Sequence, residues 1–325
     1  MKEVYYIEMD NQTSYEFNYN SSPCDRITGC IVGFAIGDAL GAPLEFKKSG
    51  HVEDFLPAPS KGLIAGQYTD DTQHLIISLD SLIENNGKIN LEDQAERLKK
   101  WYNSGNARSI GYTTRRAIIR LKKGIPPESS GIEHINSCGS LALSRLIPYS
   151  LFSALYYHPQ KIDRPKIRSI LKITHGHPIV LDMGELINYY IQEMVHGKNA
   201  EATTYQIISE DKFLNRRIRR KLEFILNNKD DSLQVMFRKI GNSGFVEEIV
   251  YSSLYSVLHG LDFRSSLLNS VNALGDSDSR GAITGALYGM QVGYSLLPKQ
   301  WKEKIENSNL LVEKSQNLCK LPYQS

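Results

Sequence analysis

Apolar side chains recur at three- and four-residue steps along most of the chain from Asp25 onward. This spacing places them on one face of a helix, because an α-helix completes a turn every 3.6 residues. The clearest run ends at Gly260, a residue type that commonly ends helices, and it comprises Val246, Ile249, Val250, Leu254, Val257 and Leu258. Similar patterns predict further helices at 72–85, 91–102, 139–156, 178–195 and 281–296.

Turn-forming residues separate these helical segments. Gly, Pro and Asn cluster at 86–88, 104–106, 124–127 and 158–164. Strand candidates rich in Val, Ile and Thr are scarce, and neither an internal repeat nor a low-complexity linker divides the chain after residue 25. The pattern therefore predicts a single compact all-α domain of many helices over residues 25–325.

Residues 1–24 differ from the rest of the chain. They contain one Lys against four acidic residues, together with many Tyr and Asn, and they show little helical periodicity. One interpretation is a loosely docked terminus. The other is an N-terminal arm that contacts a partner, because Tyr and Asn are adaptable contact residues. The sequence alone leaves both open.

The composition is typical of a soluble globular protein, with 41% hydrophobic and 23% charged residues and a net charge of +2. No stretch approaches the roughly 18 apolar residues of a membrane span, and the first residues lack the apolar segment of a signal peptide.

The near-neutral charge does not indicate nucleic-acid binding. The basic run at 215–221 fits a solvated helix, with contact to a polyanion as the alternative. The four cysteines lack metal-binding spacing, so we expect free thiols and a cytoplasmic location.

Glycines recur at four-residue steps in two segments. They are Gly29, Gly33, Gly37 and Gly41 in the first segment, and Gly281, Gly285 and Gly289 in the second. Each set lies on one helix face and lets another backbone approach closely, although glycine costs up to about 1 kcal/mol per helix position relative to Ala. The glycines therefore predict that two helices cross closely and bring the hydrophilic segments beside them together.

Two acidic blocks, 69–72 and 275–279, lie far apart in the sequence. Each offers two carboxylates interleaved with hydroxyls, which are ligands of hard cations such as Mg²⁺, Mn²⁺ or Ca²⁺. If the fold brought the blocks together, each pair of carboxylates would repel by about 3 kcal/mol at roughly 5 Å and an effective dielectric near 20. Six such pairs rival the roughly 5–15 kcal/mol that stabilises a whole domain. Only bound cations or protons make that arrangement tolerable, so the blocks jointly predict a metal site.

Taken singly, each block has a simpler explanation as a helix N-cap. The first precedes the apolar run Leu75-Ile76-Ile77, and the second precedes the helix predicted at 281–296. Both offer side-chain oxygens for capping, and their negative charge suits a helix N-terminus. The presence of both blocks in one chain favours the metal site.

Seven segments, taken together, resemble the ADP-ribosylglycohydrolase family, whose prototype is the dinitrogenase reductase-activating glycohydrolase. They follow the family's order and lie at 33–45, 68–72, 110–115, 137–148, 174–175, 274–286 and 298–301. The resemblance extends from residue 27 to about residue 305. It implies an all-α fold with a cleft whose floor holds two divalent ions, usually Mg²⁺ or Mn²⁺. The implied metal ligands are Thr69, Asp70, Asp71, Asp276, Asp278 and Ser279.

The resemblance also implies cleavage at the anomeric carbon of ADP-ribose, a reaction with an oxocarbenium-like transition state. A carboxylate must activate water or protonate the leaving group. Glu45 resembles the family's flap glutamate, and Asp70 or Asp71 would share the role of base. The implied substrate contacts are Gly139, Ser140 and His175 near the diphosphate and ribose, and Gly111 and Tyr112 nearer the adenosine. Without the family context, His175 is typical of a hydrogen-bonded core residue and Glu45 of a surface glutamate.

Two positions depart from the family pattern. Gly139-Ser140-Leu141 stands where the family has Gly-Asn-Gly, which removes an amide side chain and a glycine near the expected diphosphate. Ser277 and Ser279 stand where Thr is common, a change that keeps the hydroxyls. The first departure concerns nucleotide binding more than metal binding.

The implied function is removal of ADP-ribose from an ADP-ribosylated protein, with arginine as the expected linkage and serine left open. An alternative is an immunity protein that neutralises an ADP-ribosyltransferase toxin by contact through residues 1–24, with hydrolysis secondary. A third interpretation is hydrolysis of a small ADP-ribose metabolite.

Overall fold

A computed structural model describes residues 21–157, 163–210, 216–229, 231 and 233–322 of the chain. These residues are almost entirely helical, and their β-structure is limited to the isolated bridges Ala58–Leu63 and Ile132–His175. The all-α prediction is therefore confirmed. The N-terminal arm predicted at 1–24 lies outside the described residues except for its last four positions. The four cysteines are free thiols, as expected.

The helices are numbered in chain order. They are α1 (Pro23–Gly41), α2 (Asp70–Glu84), α3 (Leu91–Asn103), α4 (Tyr112–Lys122), α5 (Pro127–Ser130), α6 (Leu141–Tyr157), α7 (Arg164–Lys172), α8 (Pro178–Val195), α9 (Ala200–Ser209), α10 (Arg216–Asn227), α11 (Leu233–Ile240), α12 (Val246–His259), α13 (Phe263–Val271), α14 (Ser277–Val292), α15 (Lys299–Lys304) and α16 (Ser308–Cys319). Among these helices, none combines the length and apolarity needed to cross a membrane.

Most of the predicted helices appear within a few residues of their expected bounds, because long apolar periodicity is a strong signal. The segment predicted at 281–296 is an exception at both ends, because its helix already begins at Ser277, inside the second acidic block. Its helix stops at Val292 because Gly293 adopts φ = 79°, and a short 3₁₀ turn, Tyr294–Leu296, follows. A glycine with positive φ ends the helix here although the apolar pattern continues.

Helices α1 and α14 run antiparallel at the centre of the molecule, with their glycine faces against each other. A Cβ atom added to Gly33 would lie 2.2 Å from the carbonyl oxygen of Gly285, and one added to Gly37 would lie 1.9 Å from that of Gly281. No side chain fits between backbones at this distance. The predicted close approach of the two glycine-faced helices is confirmed.

This approach brings three helix ends to one place. The C-terminal end of α1 lies beside the N-terminal end of α14, where the Ser277 hydroxyl donates to the Gly41 carbonyl oxygen over 2.8 Å. The N-terminal end of α2 joins them through Asp38 of α1, which accepts a hydrogen bond from the backbone N–H of Thr69 over 2.9 Å. The two acidic blocks therefore occupy adjacent helix N-termini.

Candidate active site

The first acidic block begins α2. Thr69 is the N-cap, and its hydroxyl accepts a 3.4 Å hydrogen bond from the Asp71 N–H, while Asp70 and Asp71 occupy the first turn. Their negative charge is favourable there because helix N-termini carry partial positive charge. Asp38 of α1 fixes the start of α2, since its carboxylate accepts hydrogen bonds from the N–H and the hydroxyl of Thr72 over 2.9 and 2.6 Å.

The second block is held by a loop with unusual backbone conformation. Leu274 and Gly275 adopt φ = 61° and 70°, in the left-handed region that favours glycine. The N–H of Asp276 then donates to the carbonyl oxygen of Asn242 over 3.1 Å. Asp276 occupies the N-cap position of α14, but its side chain makes no capping bond. Its carboxylate therefore remains available to the site.

Two hydroxyl groups bind the Asp71 carboxylate, and one of them joins the two blocks. The Ser279 hydroxyl donates to Oδ2 of Asp71 over 2.8 Å, and the Ser144 hydroxyl of α6 donates to Oδ1 over 2.9 Å. The first bond links residues of the two acidic blocks, although 208 positions separate them in the sequence. The structure therefore brings the predicted ligands of both blocks into one buried site.

Glu45 enters the site from the turn that follows α1. Phe46 adopts φ = 50°, and its N–H donates to the Gly275 carbonyl oxygen over 2.7 Å, which ties this turn to the second block. Carboxylate oxygens of Glu45, Asp276 and Asp278 lie within 4.8 Å of one another. This triplet combines a predicted catalytic residue with two predicted metal ligands.

Lys61 supplies a positive charge at this point. Its ammonium lies 3.0 Å from Oδ2 of Asp278 and also forms an ion pair with Glu45. Burial opposes the charge of Lys61, but attraction to Asp278, Asp38 and Asp70 outweighs burial and raises the pKa of the ammonium. Lys61 therefore offsets part of the negative charge of the site.

The remaining carboxylates are held in conditions that disfavour ionisation. Burial, reinforced by the charge of Asp278, raises the pKa of Asp38 to about 6. Burial and the charges of Asp38 and Asp278 raise the pKa of Asp71 to about 7. Burial also raises the pKa of Asp70 and Asp276 well above the ordinary value, reinforced by Asp71 and Asp278 respectively. Such a crowd of buried acids is typical of a functional site that binds a cation.

The donor set fits divalent metal ions. Apart from the Lys61 ammonium, the converging groups are carboxylate or hydroxyl oxygens, which are the ligands of Mg²⁺ and Mn²⁺. Thr69 does cap α2, so the capping explanation is correct for that residue. It does not explain Asp276, which makes no capping bond, or the convergence of Glu45 with the second block.

A second buried network lies beside the predicted substrate residues and is centred on Arg145 of α6. Its guanidinium bonds to Nδ1 of His74 over 2.9 Å and donates to the Thr174 hydroxyl, and the Thr174 hydroxyl in turn bonds to Nδ1 of His175 over 2.8 Å. Burial lowers the pKa of Arg145 to about 9. Burial, reinforced by Arg145, lowers the pKa of His175 to about 3, so the His175 imidazole is neutral near pH 7.

The bonds around Thr174 bear on the proton position of His175. Arg145 has only N–H donors, so Thr174 accepts from it, and we assign the one hydroxyl hydrogen of Thr174 to Nδ1 of His175. The neutral imidazole then carries its proton on Nε2. A Cβ atom added to Gly139 would lie 3.5 Å from this nitrogen. His175 therefore presents an N–H donor to the Gly139 segment, where the diphosphate is expected.

The other predicted substrate residues lie at the edge of this arrangement. Ser140 is buried one helical turn before Ser144, at the N-terminal end of α6. Gly111 is the N-cap of α4, and Tyr112 is 67% exposed with Arg116 over its ring. These last two residues lie on the exposed surface, in keeping with a cleft rim.

Sequence reasoning missed four residues that shape the site: Asp38, Lys61, Ser144 and Arg145. Asp38 and Arg145 interrupt otherwise apolar helical runs, and an isolated charge in such a run is a usable signal. Lys61 follows Pro59-Ser60 in an ordinary turn, and Ser144 is a small polar residue in a helix. No sequence pattern distinguishes these two from surface or core residues.

Comparison with known proteins identifies the family of this arrangement. The profile of the ADP-ribosylglycohydrolase family matches residues 20–324. The chain is 28% identical to the ADP-ribosylarginine hydrolase of Serratia proteamaculans, over 88% of this chain and 79% of that protein. It is 27% identical to the ADP-ribosyl-[dinitrogen reductase] glycohydrolase of Rhodospirillum rubrum, over 87% of this chain and 90% of that protein. A solved structure described as an ADP-ribosylglycohydrolase-related protein complex superposes with a TM-score of 0.75 at 26% identity, covering 92% of this chain and 99% of that one.

Proposed function

The chain belongs to the ADP-ribosylglycohydrolase family, and from this premise we propose that it releases ADP-ribose from modified arginine side chains of proteins in a reaction that requires two Mg²⁺ ions. The observation that carries the proposal is the 2.8 Å hydrogen bond from Ser279 to Asp71, since it joins the two acidic blocks in one buried, oxygen-rich site. Relatives named for hydrolysis of ADP-ribosylarginine and of ADP-ribosyl-dinitrogen reductase support the substrate class.

The ions would be held by Asp276 and Asp278 of the second block and by the oxygens of the first block, and Glu45 lies beside them. Bound Mg²⁺ supplies a Lewis acid that holds the ribose hydroxyls and lowers the pKa of water, and Mn²⁺ suits the same oxygen ligands. Asp71 accepts a hydroxyl hydrogen bond on each of its two oxygens. These bonds fix the orientation of its carboxylate, which suits a ligand better than a mobile base.

The reaction breaks the bond from the anomeric carbon to the arginine nitrogen and forms a bond from that carbon to water oxygen. One proton leaves the water and one reaches the departing nitrogen. We assign the proton uptake to Asp70, whose carboxylate accepts no hydrogen bond from the described residues and whose pKa is raised well above its ordinary value by burial, which makes it a stronger base than a free aspartate. Glu45, with 22% of its side chain exposed, would take up a proton from solvent and deliver it to the departing nitrogen.

The substrate would be oriented by neutral donors. The Nε2–H of His175 and the backbone N–H groups at the start of α6 suit the oxygens of a diphosphate, since helix N-termini bind anions. Gly139 leaves room for the approach because no side chain stands before His175. Ser140 supplies a hydroxyl where the family pattern has an amide, and Gly111 and Tyr112 would contact the adenosine at the rim.

The test is release of free ADP-ribose from an ADP-ribosyl-arginine protein with Mg²⁺, with chelator, and with the variant Asp278→Asn. We expect release that requires both the metal and Asp278. The matched control is Asp182→Asn, which removes a carboxylate that pairs with Arg168 on α7 and α8, away from the acidic blocks. Equal release from wild type and Asp278→Asn would contradict the proposed site.

Parallel substrates separate the remaining alternatives. Release only from an ADP-ribosyl-serine peptide would replace arginine by serine as the proposed linkage. Release only from a small ADP-ribose metabolite would favour a metabolite hydrolase. Binding of Mg²⁺ without release from any substrate would favour the toxin-binding alternative. Deleting residues 1–24 then decides that alternative, because toxin binding should be lost with the arm.

A further inference from the structure

Residues 97–127 form a basic stretch in a chain of nearly neutral charge. They contain no Asp or Glu, and their nine basic residues are Arg97, Lys99, Lys100, Arg108, Arg115, Arg116, Arg120, Lys122 and Lys123. The first part of the stretch is neutralised by neighbours: Arg97 pairs with Glu84 and Asp93, Lys99 with Glu96, and Arg108 with Glu306. The uncompensated charge is therefore concentrated on α4 and its C-terminal end.

Most exposed residues of α4 lie on one face of the helix. Tyr112 is followed at three- and four-residue steps by Arg115, Arg116, Ile119, Arg120 and Lys123, and all of these are exposed. We call the last five the α4 basic face. It extends about 17 Å from Tyr112, given a rise of 1.5 Å per residue. The opposite side of α4 is buried through Thr114, Ala117, Ile118 and Leu121.

The cations of the α4 basic face have no carboxylate partner among the described residues. Arg116 contacts the ring and hydroxyl of Tyr112, and Arg120 donates to the Ser129 carbonyl oxygen over 2.7 Å. No ion pair involves these two, Arg115 or Lys123 within the described part of the chain. Ile119 adds an apolar surface, 40% exposed, between the arginines. Arginine and tyrosine with an exposed apolar residue are characteristic of protein interfaces rather than of a purely solvated helix.

The face starts at the candidate active site. Gln73 lies in the second turn of α2, two residues after Asp71, and its side-chain oxygen accepts bonds from Trp101 Nε1 over 2.9 Å and from the Arg108 N–H over 3.1 Å. The chain continues from Arg108 to the N-cap Gly111 and then into α4. The basic face therefore extends outward from the rim of the cleft that holds the acidic blocks.

We propose that the α4 basic face is a docking surface for an acidic segment of the ADP-ribosylated protein substrate. The inference rests on the proposed function, because a protein whose ADP-ribosyl group is bound in the cleft lies over the cleft mouth, and the α4 basic face begins at the adenosine end of that mouth, at Gly111 and Tyr112. Four uncompensated cations favour a partner with Asp and Glu in the segment that flanks the modified residue and extends to this rim. The surface thus selects among protein substrates by charge, whereas the cleft recognises the ADP-ribosyl group that they share.

The experiment uses two synthetic peptides of one design, each with a single ADP-ribosyl-arginine, flanked by Asp and Glu in one and by Asn and Gln in the other. The test variant is Arg120→Glu/Lys123→Glu, with Arg120→Gln/Lys123→Gln as a milder form. The matched control is Arg216→Glu/Arg220→Glu, which reverses two exposed cations on α10. Free ADP-ribosyl-arginine reports on the cleft alone, and circular dichroism establishes that each variant is folded.

We expect wild type to cleave the acidic peptide with a kcat/KM about three- to tenfold higher than the neutral peptide at low salt, as suits several exposed ion pairs. The ratio should approach one at high salt because exposed charges are screened. The Glu variant should reverse the preference, the Gln variant should abolish it, and the control should retain it. Cleavage of free ADP-ribosyl-arginine should be equal in all four proteins. Equal kcat/KM for the two peptides with wild type, or an unchanged ratio in the Glu variant, would overturn the proposal.

A chain without hydrolase activity would refute the proposed function, but the docking surface would still be tested. Fluorescence anisotropy then measures binding of the same two labelled peptides. A preference of wild type for the acidic peptide that the Glu variant lacks would support the surface. Equal binding of both peptides by wild type would overturn it.

Discussion

The ammonium nitrogen of Lys61 lies 3.0 Å from Oδ2 of Asp278, while the same group forms an ion pair with Glu45. Lys61 thus shares two carboxylates with the predicted metal site, although it comes from a turn outside both acidic blocks. A charged side chain in this position affects both the stability of the protein and its affinity for divalent ions. It stabilises the cluster of acids, and it competes with divalent ions for their ligands.

We therefore predict opposite effects for Lys61→Met. Without the ammonium, the metal-free protein should lose about 3 kcal/mol of unfolding free energy, because buried carboxylates lose their partner. Its affinity for Mg²⁺ should rise by roughly tenfold or more, since the site becomes more negative. Urea unfolding in chelator and calorimetric titration with Mg²⁺ measure the two effects. Lys61→Arg keeps the charge and should stay near wild type, and a weaker affinity in Lys61→Met would show that Lys61 supports metal binding.

The raised pKa of Asp71 predicts how the metal-free protein responds to pH. The folded chain keeps this proton up to about pH 7, whereas the unfolded chain loses it near pH 4. Between these values the folded state binds more protons, so the unfolding free energy should fall as pH rises. The expected decrease is on the order of a few kcal/mol relative to Asp71→Asn, which has no proton to lose there.

The measurement is urea unfolding between pH 4.5 and 8 in chelator, for wild type and for Asp71→Asn. Mg²⁺ should stabilise wild type more at the upper end of this range, because ionised carboxylates bind the cation. Parallel pH curves for the two proteins would show that Asp71 ionises normally in the folded chain.

The close contact of α1 with α14 predicts that one methyl group added at Gly33 strongly destabilises the protein. Gly33→Ala places a Cβ atom 2.2 Å from the Gly285 carbonyl oxygen, a clash that only separation of the two helices can relieve. We expect a loss of about 3 kcal/mol or more, with weaker Mg²⁺ binding because both acidic blocks depend on this contact. Thermal unfolding and Mg²⁺ titration measure the two effects. Gly139→Ala is the stability control, since its Cβ would meet only Nε2 of His175 at 3.5 Å.

These relationships show what the sequence predicts and what it does not. Helical periodicity locates the long helices, and the four-residue spacing of Gly33, Gly37, Gly281 and Gly285 predicts their partners, because glycine in a helix needs a packing reason. Because the acidic blocks lie beside these two helices, the crossing of the helices also predicts that the blocks converge. The apolar pattern places the end of α14 at residue 296, four residues beyond its observed end at Val292. The backbone conformation of Gly293, rather than a loss of apolar residues, ends the helix.

The rest of the site depends on contacts that no local pattern encodes. Ser144 reaches Asp71 because α6 packs on α2, and Lys61 reaches Asp278 because its turn folds over the start of α14. A serine in a helix and a lysine in a turn are common in any sequence. Their roles depend on tertiary neighbours, so they become visible only when the fold is known.

The proton position on His175 makes Thr174 a positioning residue, and this predicts a difference between two variants. Thr174→Val removes the hydroxyl that accepts from Arg145 and donates to Nδ1 of His175. The imidazole is then no longer held with its proton on Nε2, so we expect KM to rise roughly fivefold or more with little change in kcat, as for the loss of one hydrogen bond to the substrate. Thr174→Ser keeps the hydroxyl and should restore KM. The ¹⁵N chemical shifts of His175 report the tautomer directly, and an Nε2–H signal unchanged in Thr174→Val would show that Thr174 does not control it.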